Sequence, residues 1–274
     1  MNLSELEKDS PRPFLKWAGG KSRLISQYHR YFPKDFNTYY EPFLGGGAVF
    51  FHFQHHPAVL SDINPELINV YRCVRDRVDD LIALLAEHQR KHNKDYYYWM
   101  RSNLGSTKIE KAARLIYLNK TCFNGLYREN SKGEFNVPIG KYDNPKICDP
   151  ALLYSAAAAL QSAEIKVRSF DKVLSYAKSD DFVYFDPPYY PISSTSNFTA
   201  YNRDFFSKED QIKLRDVFAA LASRGVKVML SNSDCELIRE LYSNFNIREV
   251  SASRAINSNA QKRGKIGEVL VTCN

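Results

Sequence analysis

The sequence predicts an α/β protein: a Rossmann-like, mostly parallel sheet with helices on both faces, interrupted by a mainly helical insert. Three observations predict it. From about residue 163 onwards, short β-branched and aromatic runs alternate with helical stretches. The same rhythm opens at residue 38, where a glycine triplet separates a strand from a helix. Between residues 64 and 150 the rhythm stops, and helices lead into a tract rich in Asn, Gly, Pro, Lys and Arg. Residues 1–63 and 151–274 are therefore expected to form one domain, and residues 64–150 a second, inserted one.

Taken in order, TYYEPF (38–43) reads as a strand and AVFFHFQ, after the glycines, as a helix. AVLSDI (58–63) is the next strand. Asn64 followed by Pro65 marks a helix start, a capping side chain before a proline at the first helical position. That helix runs, with a break, to about Lys91. KIEKAARLIYLNK (108–120) is a further amphipathic helix, and NGLYRENSKGEFNVPIGKYDNPK reads as loops with a short hairpin. ALLYSAAAALQSA (151–163) is helical, AEIKVRSF a strand, and VYFDPP ends another. Ser207 with Asp210 resembles a capping box for a helix that closes at Gly225. VKVMLSNS is a strand, CELIRELYSN a helix, and FNIREVSASR and GEVLVTCN a closing strand pair around a basic loop.

Composition narrows the classes. The chain has 274 residues, 44% of them hydrophobic, enough to bury a core. The five cysteines form no CxxC or Cys/His cluster, so reduced thiols, no metal site and a cytoplasmic location are expected. No apolar run is long enough for a membrane span, and MNLSELEKDS is too polar for a signal peptide. A monomer without an obligatory protein partner is expected. The net charge of +7, with 18 Tyr and 17 Phe, suits phosphates and unstacked bases.

EPFLGGGAVF sets Gly45, Gly46 and Gly47 where a backbone must turn tightly and approach a ligand. Asp62 ends the next strand, where a carboxylate accepts hydrogen bonds from ribose hydroxyls. The dinucleotide fingerprint GxGxxG is incomplete, since position 50 is Phe, and Glu41 would repel a pyrophosphate. An acidic strand end suits a ligand that is cationic and hydroxyl-rich, and S-adenosylmethionine is both. A purely structural glycine turn fits these residues equally well. In FLKWAGGKSRL (14–24), Gly20-Lys21-Ser22 matches the end of a phosphate loop, but the required glycine at position 15 is Leu. Trp17 and Lys21 could instead close over a small ligand, or simply open a helix.

DFVYFDPPYYP (181–191) ends a strand in an acid, two prolines and two tyrosines. An exocyclic amine on a base is a poor nucleophile because its lone pair is delocalised into the ring. A site that accepts hydrogen bonds from both amine hydrogens frees that lone pair. Asp186 offers a carboxylate, and Pro187 a carbonyl with no competing N–H of its own. Pro187 and Pro188 stiffen the turn, so the acceptors are placed before reaction. Tyr189 offers a stacking face. A base inside a duplex is out of reach and must be flipped.

FLKWAGGK, EPFLGGGAVF, SDINPELI, NGLYRENSKGEFNVPIGKY, VYFDPPY, NFTAY and LSN, in that order, make the chain similar to the Dam family of DNA adenine-N6 methyltransferases. The resemblance covers nearly the whole chain, and its motif order is that of the alpha group of amino-methyltransferases. It implies an S-adenosylmethionine-dependent methyltransferase sheet with an inserted target-recognition domain. It implies methyl transfer to a flipped adenine in double-stranded DNA, usually within GATC. Trp17, Lys21, Asp62 and Asp186 fall on its cofactor positions, and Glu41, Phe43, Gly45 and Gly47 are grouped with them. Asp186, Pro187, Pro188 and Tyr189 form its catalytic clamp. Lys16, Leu126, Arg128 and Pro138 fall on positions that read base edges, with Phe123 and Asn124 beside them on the DNA. Phe123 stands where a compared family member has a tyrosine that wedges into the duplex, and this departure implies a different tuning of flipping. Arg128 suits a bidentate contact to guanine, or a phosphate.

RAINSNAQKRGK (254–265) carries Arg254, Lys262, Arg263 and Lys265 and is expected to contact phosphates; a solubilising hairpin is the alternative. Rival functions share these residues: methylation of adenine in RNA, a decayed, non-catalytic DNA-binding module, and glutamine-modifying protein methylation, whose related clamp usually starts with Asn and which lacks the basic insert. Intact Asp62 and Asp186 speak against decay. Family members serve restriction–modification systems and phages, among other roles, and the sequence does not choose between them.

Overall fold

The strands are β1 (Tyr39–Glu41), β2 (Ala58–Asp62), β3 (Ala163–Val167), β4 (Phe182–Phe185), β5 (Lys227–Ser233), β6 (Asn246–Ser253) and β7 (Lys265–Thr272). In the computed structural model, which describes residues 10–22, 24–191, 206–253 and 265–273, they form one sheet of order β3-β2-β1-β4-β5-β7-β6. β1 pairs in parallel with β2 and with β4, and β4 with β5. β7 runs antiparallel between β5 and β6, which is the closing strand pair expected from the sequence. This is the Rossmann-like sheet that the sequence predicts. After β1 the chain builds outwards on one side, then returns to lay β4 on the other. The switch point is therefore between β1 and β4, and ligands of open α/β sheets bind beyond the carboxyl ends there.

The helices are α1 (Ile25–Tyr28), α2 (Ala48–Phe53), α3 (Pro65–Asp76), α4 (Val78–Lys91), α5 (Lys94–Ser102), α6 (Lys108–Thr121), α7 (Pro150–Leu160), α8 (Lys208–Ser223) and α9 (Glu236–Leu241). Among the described residues none is long and apolar enough to cross a membrane. The chain divides into two compact units. One comprises Met1–Gly20, Gly45–Gln54 and Asp62–Val167; the other comprises Lys21–Leu44, His55–Ser61 and Arg168–Asn274.

The second unit is built on the sheet. Every residue of β4 is buried, as expected of a strand covered on both faces. Val183, Phe185, Val228, Leu230, Val269 and Val271 join Leu214, Phe218 and Leu221 of α8 in one core. The Ser207–Asp210 capping box is present in both directions. The helix stops at Arg224, where Gly225 takes a positive φ of 77°.

Apart from β3 and the last residue of β2, the first unit is built of helices and loops. Asn64 accepts from the backbone N–H groups of Glu66 and Leu67, with Pro65 opening α3. The expected break before Lys91 falls at Arg77. The aromatic run of α5 did not read as a helix in the sequence, because Tyr and Trp are indifferent helix formers; Asn93 caps it. α6 is the unit's central helix. It opens with a Thr107–Glu110 capping box and buries residues on every side, and such a helix belongs in a core. Its buried Arg114 donates to the carbonyls of Met100 and Arg101, satisfying the end of α5. Beyond α6 the chain makes a tight turn at Phe123–Gly125 and two isolated antiparallel bridges, Cys122 with Ile139 and Glu129 with Phe135. This is the loop-and-hairpin texture its composition predicted.

Candidate functional site

In the first unit, the glycine turn is held against an acid and an aromatic ring. Gly45 (φ 47°) and Gly47 (φ 66°) both sit in the left-handed region, which side chains disfavour. A Cβ on Gly45 would lie 2.9 Å from Cδ1 of Trp17, so the close approach itself requires glycine. The Gly45 N–H donates to Asp62 Oδ2 (3.1 Å), and the Asn64 N–H to Asp62 Oδ1 (3.0 Å). Burial pushes the Asp62 carboxyl up, while N–H donors from Asn64, Gly45 and Ile63 pull it back. The Trp17 indole stacks on Tyr127, centroids 5.5 Å apart. Ile63, beside the acid, is 68% exposed. Sequence reasoning passed over it, although an apolar residue directly after a site carboxylate was the available signal. An oriented carboxylate, a backbone stripped of side chains and an open apolar surface fit a nucleoside ligand.

In the second unit, β4 delivers Asp186 just past its carboxyl end. Lys21 is buried, and its Nζ lies 2.9 Å from Asp186 Oδ1. Ser231 Oγ donates to the same oxygen (2.8 Å), and Tyr184 OH shares a hydrogen bond with Ser231 (3.0 Å). Oδ1 is thereby occupied twice, and among the described residues no hydrogen bond is made to Oδ2. Lys21 Nζ also stands 4.5 Å from the centroid of the Tyr189 ring, a cation–π distance. The Tyr189 hydroxyl donates to Glu268 Oε2 (2.6 Å), to which Tyr28 OH also donates (3.3 Å). Burial, then Asp186, Tyr28 and Glu268, push the Tyr189 phenol well up, so it remains a donor. Among the described residues nothing hydrogen-bonds to the Pro187 carbonyl, whereas Gln211 Nε2 donates to that of Pro188 (3.1 Å). Glu41 is buried and accepts from Tyr39 (2.8 Å), and Phe43 packs among Phe170, Phe185 and Phe206.

Sequence reasoning missed Ser231, Gln211, Asn232 and Glu268. The signals were a Ser-Asn-Ser run closing the apolar strand β5 and a lone glutamate inside the apolar strand β7. The pairing Ser233–Glu268 brings that glutamate to the carboxyl end of β5.

The residues expected to face DNA gather on the first unit's surface. Lys16, Phe123, Asn124, Leu126, Arg128 and Pro138 are all exposed. Buried Asn119 ties two of their segments together: it accepts from the Lys16 N–H (2.8 Å) and donates to the carbonyls of Lys16 (2.7 Å) and Gly125 (3.0 Å). The Phe123 N–H donates to the Pro138 carbonyl (2.9 Å). Arg128 Nε donates to Asn136 Oδ1 (2.7 Å), which extends the guanidinium across the hairpin. Lys16 Nζ lies 4.3 Å from the Tyr142 ring centroid. Arg254, Lys262 and Arg263, like NFTAY, lie outside the described residues.

Comparison with known proteins gives the family. Residues 17–256 match the family model of the D12 class N6 adenine-specific DNA methyltransferases. The chain is 47% identical to the Type II methyltransferase M1.LlaDCHI of Lactococcus lactis subsp. cremoris, over 99% of each chain. It is 41% identical to the Type II methyltransferase M.MjaIII of Methanocaldococcus jannaschii, over 92% of this chain and 95% of that one. It is 37% identical to the DNA adenine methylase of Escherichia coli K12, over 94% of each. With its Rossmann-like sheet, its Asp-Pro-Pro-Tyr turn beyond β4 and a family match over residues 17–256, the chain belongs to the D12 class N6 adenine-specific DNA methyltransferases.

Proposed function

We propose that this site-specific DNA adenine methyltransferase takes its methyl group from S-adenosylmethionine and places it on N6 of an adenine flipped out of double-stranded DNA, within GATC. The observation that carries the reading is the double anchoring of Asp186 Oδ1 by Lys21 and Ser231. It supports Oδ2 and the Pro187 carbonyl, unbonded among the described residues, as the two acceptors of the amine's hydrogens. Held so, the nitrogen lone pair points out of the ring plane. Tyr189 stacks on the flipped base, its ring fixed by Glu268 at one end and Lys21 over its face. Catalysis of this kind rests on placement and fixed dipoles, without a covalent nucleophile.

Trp17, Lys21, Glu41, Phe43, Gly45, Gly47, Asp62 and Asp186 are assigned to the cofactor, and exposed Ile63 joins them. Asp62 receives the ribose hydroxyls, and Ile63 offers an apolar face to the adenine ring. When bound, S-adenosylmethionine supplies an electrophilic methyl on a sulfonium. Residues 64–150 act as the target-recognition domain. Lys16, Leu126, Arg128 and Pro138 read base edges, Phe123 and Asn124 fill the space left by the flipped base, and Arg254, Lys262 and Arg263 grip phosphates. The enzyme works as a monomer in the cytoplasm.

Asp186→Ala tests the clamp. Methyl transfer should fall below detection while duplex affinity stays within about threefold, since Asp186 carries none of the phosphate contacts that dominate affinity. A variant that still methylates would contradict the mechanism. Preferred labelling of an RNA adenine by the native enzyme would move the substrate to RNA.

A further inference from the structure

The turn Asp186–Tyr190 is rigid for a reason its prolines do not supply. Beneath it lie Gln211 of α8 and Asn232 and Ser233 of β5, all buried. The Tyr190 N–H (3.4 Å) and the Ser233 N–H (2.8 Å) both donate to Asn232 Oδ1. Two backbone donors on one oxygen fix which way the Asn232 amide faces. Its Nδ2 must then donate to Gln211 Oε1 (3.0 Å). That in turn leaves Gln211 Nε2 to donate to the Pro188 carbonyl (3.1 Å). Ser233 Oγ donates to the Tyr190 carbonyl (2.8 Å). The hydrogen bonds run one way, from Asn232 through Gln211 into the catalytic turn. They occupy the carbonyls of Pro188 and Tyr190, while among the described residues that of Pro187 accepts none.

We infer that Gln211 and Asn232 are positioning residues of the methyl-transfer reaction, a directional amide relay that holds the Pro187 carbonyl and Asp186 at the spacing of the target amine's two hydrogens. The inference rests on the reading of Asp186 and Pro187 as the amine's acceptors. Neither side chain reaches the substrate itself. A buried polar network of this kind is rigid only while every member is satisfied, and a reacting group displaced by about 1 Å can lose a hundredfold in rate.

The relay's direction gives a test that simple loss of packing cannot mimic. In Asn232→Asp the carboxylate recruits Gln211 Nε2, so Oε1 swings to face the Pro188 carbonyl and the turn is repelled instead of held. In Gln211→Glu the outcome depends on pH. A protonated glutamic acid donates to the Pro188 carbonyl and accepts from Asn232, while the ionised form opposes oxygen to oxygen. Burial favours the neutral acid, so this variant should work best at low pH and fade as pH rises through the glutamate's titration.

The experiment measures single-turnover methylation of an adenine-containing duplex by the full-length native enzyme, N232D and Q211E. Cofactor and duplex dissociation constants and melting temperatures are measured alongside. Asn232→Asp is expected to slow the methylation step about tenfold to a hundredfold, with both dissociation constants within about threefold of native. The ratio of the Gln211→Glu rate to the native rate is expected to fall as pH rises. A native single-turnover rate in N232D, losses that merely follow weaker binding, or a flat Q211E-to-native ratio would each overturn the relay. Should N232D not fold, the Q211E profile decides alone. Failure of the native enzyme to methylate adenine would instead remove the reading on which the relay stands.

Discussion

Lys21 shows how one side chain can carry two assignments. Its sequence neighbourhood suggested closure over a ligand, and its ammonium group ion-pairs with Asp186 beneath the Tyr189 ring. With Ser231 on the same oxygen, the pair fixes the orientation of the half-buried Asp186 carboxylate. Asp186 and Pro187 were legible because an acid and two prolines after an apolar strand are chemically unusual. Gln211 and Glu268 were not, since each meets its partner only through packing set by distant parts of the chain. Arg128 separates two kinds of recognition. If it reads guanine, Arg128→Ala should lose discrimination at one base pair by about 1–3 kcal/mol. Uniform weakening across all duplexes, with a shallower salt dependence, would mark it as a phosphate contact. His88 sets a pH limit on the fold. Its Nδ1 shares a hydrogen bond with Tyr96 OH (2.8 Å), and burial holds its pKa below the ordinary value. A base depressed on folding stabilises above its unfolded pKa and loses that contribution as pH falls through its folded one. Melting temperature should therefore drop as pH falls below the ordinary histidine value of 6.5, and His88→Gln should narrow that drop. An equal drop in both proteins would exclude His88 as its source.

Elements differ in how openly the sequence announces them. Helix α3 was plain, because Asn64-Pro65 is a local signal and the structure makes both capping bonds. Asn64 also donates its backbone N–H to Asp62, so the helix start and the site acid share one turn. Asn64→Ala should cost about 1 kcal/mol of stability from the lost cap. It should lower cofactor affinity only slightly, since alanine keeps that N–H. A large loss of affinity with unchanged stability would show that the side chain itself serves the ligand. Helix α5 stayed hidden because its aromatic run carries no helical preference and owes its form to the Asn93 cap and to packing on α6. The end of β5 stayed half-hidden. Its Ser-Asn-Ser run was quoted within a family motif, yet its task appears only when sheet pairing sets it beside Asp186 and Tyr190.

Across the whole molecule, the strand order β3-β2-β1-β4-β5-β7-β6 puts the switch point between β1 and β4, so the Asp-Pro-Pro-Tyr turn follows the strand at which open α/β sheets bind ligands. The parallel core and the closing antiparallel pair were both legible from alternating strand and helix signals. The order itself was not, because sequence rhythm names strands without saying which neighbours pair. A net charge of +7 favours a polyanionic partner but sets no sequence preference, because phosphate contacts fix register and not base identity. The most direct test of the account is to incubate the enzyme with labelled S-adenosylmethionine and two duplexes, one containing GATC and a twin in which its adenines are replaced. Label recovered as N6-methyladenine from the first duplex alone is the predicted result. Label in neither, from protein that demonstrably binds the cofactor, would contradict it.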